Sequence, residues 1–338
     1  MIIRKMSLFF FFCLLLLLDA GGCRKDSPSQ SNEEVVYPGC QKEGSARQDT
    51  RIPQSMVLDW NQPVRLNVPI NTLCPEDAIE ISADGQYLYF LFTSDILDSL
   101  TTTEILAPQN NTYRAARIGG PGDFGAPVYY NLGKGAGGSM DGEVSFTPDG
   151  AKVYFHSNRA ANLGYNHEPF MDDFLDIYVA DIVNGEPSAA RNLGEPVNSI
   201  YPDGEHAIHP DGITLYFASK RPGGLGGADI WRSTLTDNLW SAPVNLGAPI
   251  NSAAEDLQPT FTLDGDTMYY TSTRGISGAA IYRSVYDDGN WGMPEMVISG
   301  VVGEASLTAD GQYLYFVHVL SDAEGNFDAD IWYCSRNK

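Results

Sequence analysis

Acidic pairs are the residues of this chain best suited by type and spacing to do chemistry: Asp141 with Glu143, Asp203 with Glu205, Glu255 with Asp256, and later Glu304. Two carboxyl groups flanking an open cleft can act as acid and base on a glycosidic bond, and several converging on one point can hold a cation. Their recurrence argues against catalysis. Arg159, Arg221 and Arg274 follow at matched spacing, each ten residues after the Asp of an Asp-Gly pair (Asp149, Asp211, Asp264). A catalytic site has no use for the same pair in every repeat, so the pattern predicts structural ion pairs or loop anchors, with a cluster of carboxylates near a common axis as the functional alternative.

The five histidines give little support for a metal centre. His206 and His209 lie three apart on a predicted strand and so point to opposite faces. His156 and His318 fall in or just after predicted strands, where packing explains them, and His167 lies in a loop. No nucleophile motif or phosphate-cradling loop is present, and the glycine-rich run at 222–227 lacks the strand-turn-helix setting of a dinucleotide site. The sequence therefore assigns no catalytic residue, no cofactor and no metal.

What must position these residues is a fivefold repeat. Asp-Gly pairs begin at Asp84, Asp149, Asp211, Asp264 and Asp310, and five residues after each Asp stands Tyr: Tyr89, Tyr154, Tyr216, Tyr269 and Tyr315. An apolar residue sits three before each Asp, from Ile81 and Phe146 to Ile208, Phe261 and Leu307. Each Asp-Gly suits a tight turn between an apolar strand (a) and a Leu-Tyr-Phe-like strand (b). Strand b lacks polar alternation, so both its faces are expected to be buried. A third strand (c) follows, as in Asp176–Tyr178, Asp229–Trp231, Ala280–Tyr282 and Asp330–Trp332, with a degenerate copy near Tyr113. A short fourth strand (d) precedes each motif, clearest in Trp60–Asn71 and Trp240–Asn251. Four-stranded antiparallel units buried on both faces are propeller blades. Because the chain opens on a lone d strand and ends on a c strand, pairing the two closes a ring. The expected fold is all-β: a five-bladed β-propeller over residues 51–338, closed by the N-terminal strand joining the C-terminal blade.

Segments HPDGITLYFASKRPGGLGGADIW and NLGAPINS resemble the WD-like β-propeller repeat of TolB and of OmpA-associated envelope proteins of Gram-negative bacteria, over roughly residues 56–336. That resemblance implies a propeller serving as a binding or scaffolding body in the cell envelope, with a glycan-active enzyme as the alternative.

The N-terminus reads as an address. Arg4 and Lys5 precede the apolar run Met6–Leu18, and Ala20, Gly21 and Gly22 lead into Cys23. This resembles a bacterial lipobox, with Ala20 where Leu is usual, so residues 1–22 are expected to be a lipoprotein signal peptide and Cys23 the lipidated first residue. Residues 23–50, polar and poor in large apolar side chains, are expected to be a flexible tether reaching about 30 Å. The expected location is the outer membrane, facing the periplasm or the cell surface. A net charge of −22 excludes nucleic acid as a natural partner. An envelope protein or glycan, and the membrane through the lipid, are the expected partners. Cys40, Cys74 and Cys334 remain for an oxidising compartment, an odd number, and a Cys40–Cys334 disulfide is expected where the start of d meets the end of c.

Specificity is expected where the repeat breaks. The second unit inserts residues 160–174, bringing Tyr165, His167 and Phe170 beside Asp172 and Asp173; with Tyr201 and Glu205 of the adjacent loop these form the expected contact surface. The first unit replaces the usual exit with a long segment from Ser94 to Gly122.

Overall fold

A computed structural model describes residues 37, 51–94, 110–133, 139–159, 161–163, 175–275, 278–321 and 327–337. Its strands form five antiparallel sheets arranged as a β-propeller, and the described residues contain no helix. From the axis outward, blade 1 runs Glu76–Ile81 (a), Tyr87–Phe92 (b), Asn111–Ala116 (c) and Val128–Tyr129 (d). Blade 2 is Asp141–Phe146, Lys152–Ser157, Asp176–Val183 and Arg191–Asn192; blade 3 is Asp203–Ile208, Thr214–Ser219, Asp229–Thr236 and Val244–Asn245. Blade 4 is Asp256–Phe261, Thr267–Ser272, Ala280–Asp287 and Glu295–Ser299. Blade 5 takes Val302–Leu307, Tyr313–Ser321 and Phe327–Ser335 from the end of the chain and Val64–Arg65 from its beginning.

Strand b shows why the repeat has the residues it has. Successive side chains of a strand point to opposite faces, and here each face meets another blade. Tyr89 packs with Tyr130, Val144 and Phe155 in the interface toward blade 2, while its neighbour Phe90 packs with Leu66, Ile331 and Tyr315 toward blade 5. Tyr154, Tyr216, Tyr269 and Tyr315 repeat the arrangement, each entering the core shared with the following blade. The Asp-Gly turns need a left-handed glycine, with φ from +63° at Gly311 to +76° at Gly265. Beside it, a hydroxyl such as that of Thr147 donates to Asp149 Oδ1 at 2.6 Å, an acceptor that Ala151 N also uses.

Ring closure is made by backbone and side chains together. Val64 pairs with Tyr333 and Arg65 with Trp332, and Arg65 grips Asp330 with two nitrogens at 2.8 and 2.7 Å. Asn71 then accepts from Ile331 N and donates to Ile331 O, both at 2.8 Å. Asn198 and Asn251 clamp Ile177 and Ile230 in the same way, so the closing blade uses the device of the covalently continuous ones. Replacing Asn71 with Ala strands the buried Ile331 N–H, while Ile331 O keeps Leu66 N as a donor, and is expected to cost about 2 kcal/mol. Urea unfolding reads the loss, and trypsin is expected to cut at Arg65 faster than in the parent.

Three features depart from the sequence-based expectations or lie beyond them. Cys334 is a free thiol, so the Cys40–Cys334 disulfide does not form. Its side chain points into the core between blades 4 and 5, beside Trp60, Ile298 and Leu314, and burial pushes its pKa up to about 12. Cys74 is the disulfide-bonded cysteine of the described region. An extra strand, Gln54–Ser55, pairs with Ser299 and Ile298 and lengthens the outer edge of blade 4. Tyr37, inside the stretch read as tether, packs its ring 5.0 Å from Tyr113 and 5.1 Å from Phe92.

Candidate functional site

Two acidic rings, interleaved in sequence, separate in space. Asp141, Asp203 and Asp256 open strand a of blades 2, 3 and 4, and none of their side chains is exposed to solvent. Each is held by the arginine of its own blade: Arg159 Nη2 to Asp141 Oδ2 at 2.8 Å, Arg221 Nη2 to Asp203 Oδ1 at 2.5 Å, and Arg274 Nη2 to Asp256 Oδ1 at 2.6 Å. The same guanidinium donates to a carbonyl of the loop before strand a: Leu132 for Arg159, Val197 for Arg221 and Ile250 for Arg274. It also lies over two aromatic rings, such as Phe217 and Trp231 at 5.1 and 5.6 Å from Arg221. These are latches that tie loop, inner strand and blade together.

Two residues further along strand a the backbone turns. Ala78, Glu143, Glu205, Gln258 and Glu304 all adopt left-handed φ, between +47° and +56°, and the strand a to strand b register shifts there in every blade. In a regular strand Asp141 and Glu143 share a face; the bulge breaks that relation and turns the second side chain toward the axis. The side chains meet across blades. Gln258 Nε2 donates to Glu304 Oε1 at 3.1 Å, Glu304 Oε2 accepts from Ala78 N at 2.6 Å, and Glu143 Oε2 lies 3.1 Å from His156 Nδ1. Glu205 comes from the next blade: one carboxylate oxygen of Glu205, one of Glu143 and a ring nitrogen of His156 lie within 4.8 Å of one another.

Burial dominates the electrostatics of this cluster. It raises the carboxyl pKa values of Glu143, Glu205 and Glu304 well above the usual range and raises that of Asp77, with mutual repulsion adding to the glutamates. It lowers the imidazole pKa of His156, and drives that of His206 down to about 3. Unpartnered buried atoms collect here too: Glu205 Oε2, Asp77 Oδ2 and both ring nitrogens of His206.

Below the cluster runs an axial cavity of about 440 Å³, walled by all five blades. Glu143, Gln258, Glu304 and His206 contribute to its wall, which also carries Tyr89, Phe146, Phe261 and Glu80. Its lining reaches the a-to-b hairpins, where Asp84, Pro148 and Leu263 are exposed. Burial raises the Glu80 pKa to about 8, partly opposed by the Ser306 hydroxyl, which donates to Glu80 Oε2 at 2.7 Å.

Of the expected contact surface, Tyr165, His167, Phe170, Asp172 and Asp173 lie outside the described residues. Tyr201 stands exposed on the loop before strand a of blade 3, whereas Glu205 belongs to the axial cluster. His209 sits in a hairpin, its Nε2 3.2 Å from Gly265 O, and shares no ligand with His206. The histidine that joins the carboxylates is His156, which strand position alone assigns to packing. Its signal was indirect: Gly142 and Gly204, at matching positions of strand a, leave its ring room. A Cβ at Gly142 would stand 3.2 Å from His156 Nε2, and one at Gly204 3.5 Å from its Nδ1.

No family profile and no curated protein matches the chain. Solved structures do. A glycoside hydrolase is similar over 89% of this chain and 91% of its own, at 11% identity and a TM-score of 0.50. TolB from Acinetobacter baumannii is similar at 13% identity and a TM-score of 0.43, over 78% of this chain and 55% of its own, so the chain spans about half of that protein. A TolB-like protein from Agrobacterium tumefaciens gives 14% identity and 0.43, over 78% and 91%. The class defined by fold and repeat is the five-bladed β-propeller. Identities this low speak for the fold alone.

Proposed function

We propose that the chain is a binding module of the cell envelope, anchored by lipid at Cys23, that receives a protein segment or glycan of a partner at its axial cavity. The observation carrying this reading is the state of the carboxylates. Hydrolysis of a glycosidic bond needs two carboxyl groups facing substrate in an open cleft. Asp141, Asp203 and Asp256 are instead buried and latched by arginines, and of the axial glutamates Glu143 is engaged with His156, and Glu304 with Gln258 and the Ala78 backbone. The cavity has the size of a ligand site, aromatic walls, and exposed Tyr87 and Leu263 at its rim.

The test uses the full chain in its native membrane, with a photo-crosslinking residue in place of Leu263. A discrete adduct is expected, protein or glycan, and it is expected to disappear when Ala309→Trp obstructs the mouth. Cys23→Ser is expected to move the protein to the soluble fraction. Release of reducing ends from envelope glycans, lost in Glu143→Gln or Glu205→Gln, would replace this reading with the hydrolase.

A further inference from the structure

The axial cluster has a composition that a binding cavity does not require. Glu143 and His156 come from blade 2 and Glu205 from blade 3, and Asp77 of blade 1 stands close enough for its charge to act on His156 and Glu205. The charges acting most on Glu143, Glu205, Glu304 and Asp77 are one another, Glu80 and His156, with no lysine or arginine among them. Acidic side chains gathered off-water without a cation are costly, and each blade also carries a non-glycine residue in left-handed backbone at the ring position.

We propose that Glu143, His156 and Glu205 form a binding site for one divalent transition-metal ion of the zinc or manganese type on the propeller axis, with Asp77 as the neighbouring carboxylate. The spacing suits it. Bonds of about 2.0–2.2 Å to nitrogen and oxygen put neighbouring donors roughly 3 Å apart and opposite donors roughly 4.3 Å apart. Here the Glu143 oxygen and the His156 nitrogen are 3.1 Å apart, and all three donors lie within 4.8 Å. Independent of the cluster's charge are two carboxylate oxygens without an N–H or hydroxyl donor, although the Asp77 carboxyl also meets that of Glu304. Glu205 Oε2 and Asp77 Oδ2 are shielded from solvent without a hydrogen-bond partner, and Asp77 as a whole is 3% exposed. The donor set fixes the class of ion: an imidazole suits zinc, iron or nickel rather than magnesium or calcium, and the two carboxylates beside it also suit manganese. Gly142 leaves the His156 ring room beside strand a, and Glu143 Oε2 lies 3.1 Å from its Nδ1. Because the donors come from adjacent blades, an ion here would tie the ring together at its centre.

Tag-free full chain is stripped with a chelator, dialysed separately against Zn²⁺, Mn²⁺, Mg²⁺ and Ca²⁺, and assayed for bound metal and melting temperature. One equivalent of Zn²⁺ or Mn²⁺ is expected, raising Tm by about 5 °C when free metal is about 100 times Kd. Glu205→Gln and His156→Asn are each expected to weaken binding at least tenfold. Glu205→Gln is near-isosteric, and its far-UV spectrum and metal-free Tm verify the fold. Sub-stoichiometric uptake of every ion, a site filled only by Mg²⁺ or Ca²⁺, or undiminished uptake by both variants would overturn the assignment.

Discussion

Replacing Arg221 with Met is expected to destabilise the propeller by about 3–5 kcal/mol, the cost of leaving one member of a buried ion pair without the other. Asp203 is wholly buried, and burial raises its carboxyl pKa despite the opposing pull of Arg221. Methionine fills part of the space but leaves Asp203 with only Ser199, through its backbone N–H and hydroxyl, and the hydroxyl of Ser219. It also releases the carbonyls of Pro196 and Val197. Arg221→Lys should rescue little, because one ammonium cannot reach the carboxylate, Ser219 Oγ and two carbonyls at once. The pH dependence has a definite sign. Loss of the guanidinium raises the folded-state pKa of Asp203 further above its unfolded value, so the penalty is complete above the folded pKa and fades as pH falls toward the unfolded one. Urea unfolding at pH 8 and pH 4.5 should show the larger loss at pH 8. Equal losses would place the effect in packing against Phe217 and Trp231.

Where one residue type does one job five times, the sequence is easy to read. Tyr89, Tyr154, Tyr216, Tyr269 and Tyr315 each fill the seam toward the next blade, and the Asp-Gly turns mark the hairpins, so blade number and ring closure follow from spacing. The axial cluster was hidden for a physical reason. Alternation places Asp141 and Glu143 together, and no residue code announces a bulge built on left-handed Glu, Gln and Ala. Cys334 misled in a different way: meeting of strand ends fixes where the backbone passes, but the side chain of Cys334 faces inward, among apolar neighbours. Gln54–Ser55 lies outside the repeat, so nothing in the repeat predicts an added outermost strand on blade 4.

Glu80→Gln is expected to stabilise the protein by about 3–5 kcal/mol at pH 9 and to change little at pH 4.5. At this position of strand a the other blades carry Ser145, Ala207, Thr260 and Ser306, so blade 1 alone lines the cavity with a carboxyl group here. Its folded pKa of about 8 lies above the unfolded value near 4.5, because burial disfavours the anion and one hydroxyl offsets only part of that cost. Such a group binds its proton more tightly in the folded state, so it costs no stability below the unfolded pKa. Between pH 4.5 and 8 each unit then removes about 1.4 kcal/mol. Glutamine keeps the acceptor for Ser306 and has no proton to lose, which removes the alkaline penalty; it also relieves the repulsion Glu80 exerts on Glu143. His206 acts on the acid side with the opposite sign. Its pKa near 3 means that below about pH 6.5 the unfolded chain takes up a proton the folded one refuses, and stability falls with falling pH. The parent should therefore be most stable at intermediate pH, and Glu80→Gln should extend that range upward. Chelator-treated protein unfolded in urea at pH 4.5, 7 and 9 measures this directly, and a stability difference that stays constant across the three would show that Glu80 has the same pKa in the folded chain as in the unfolded one.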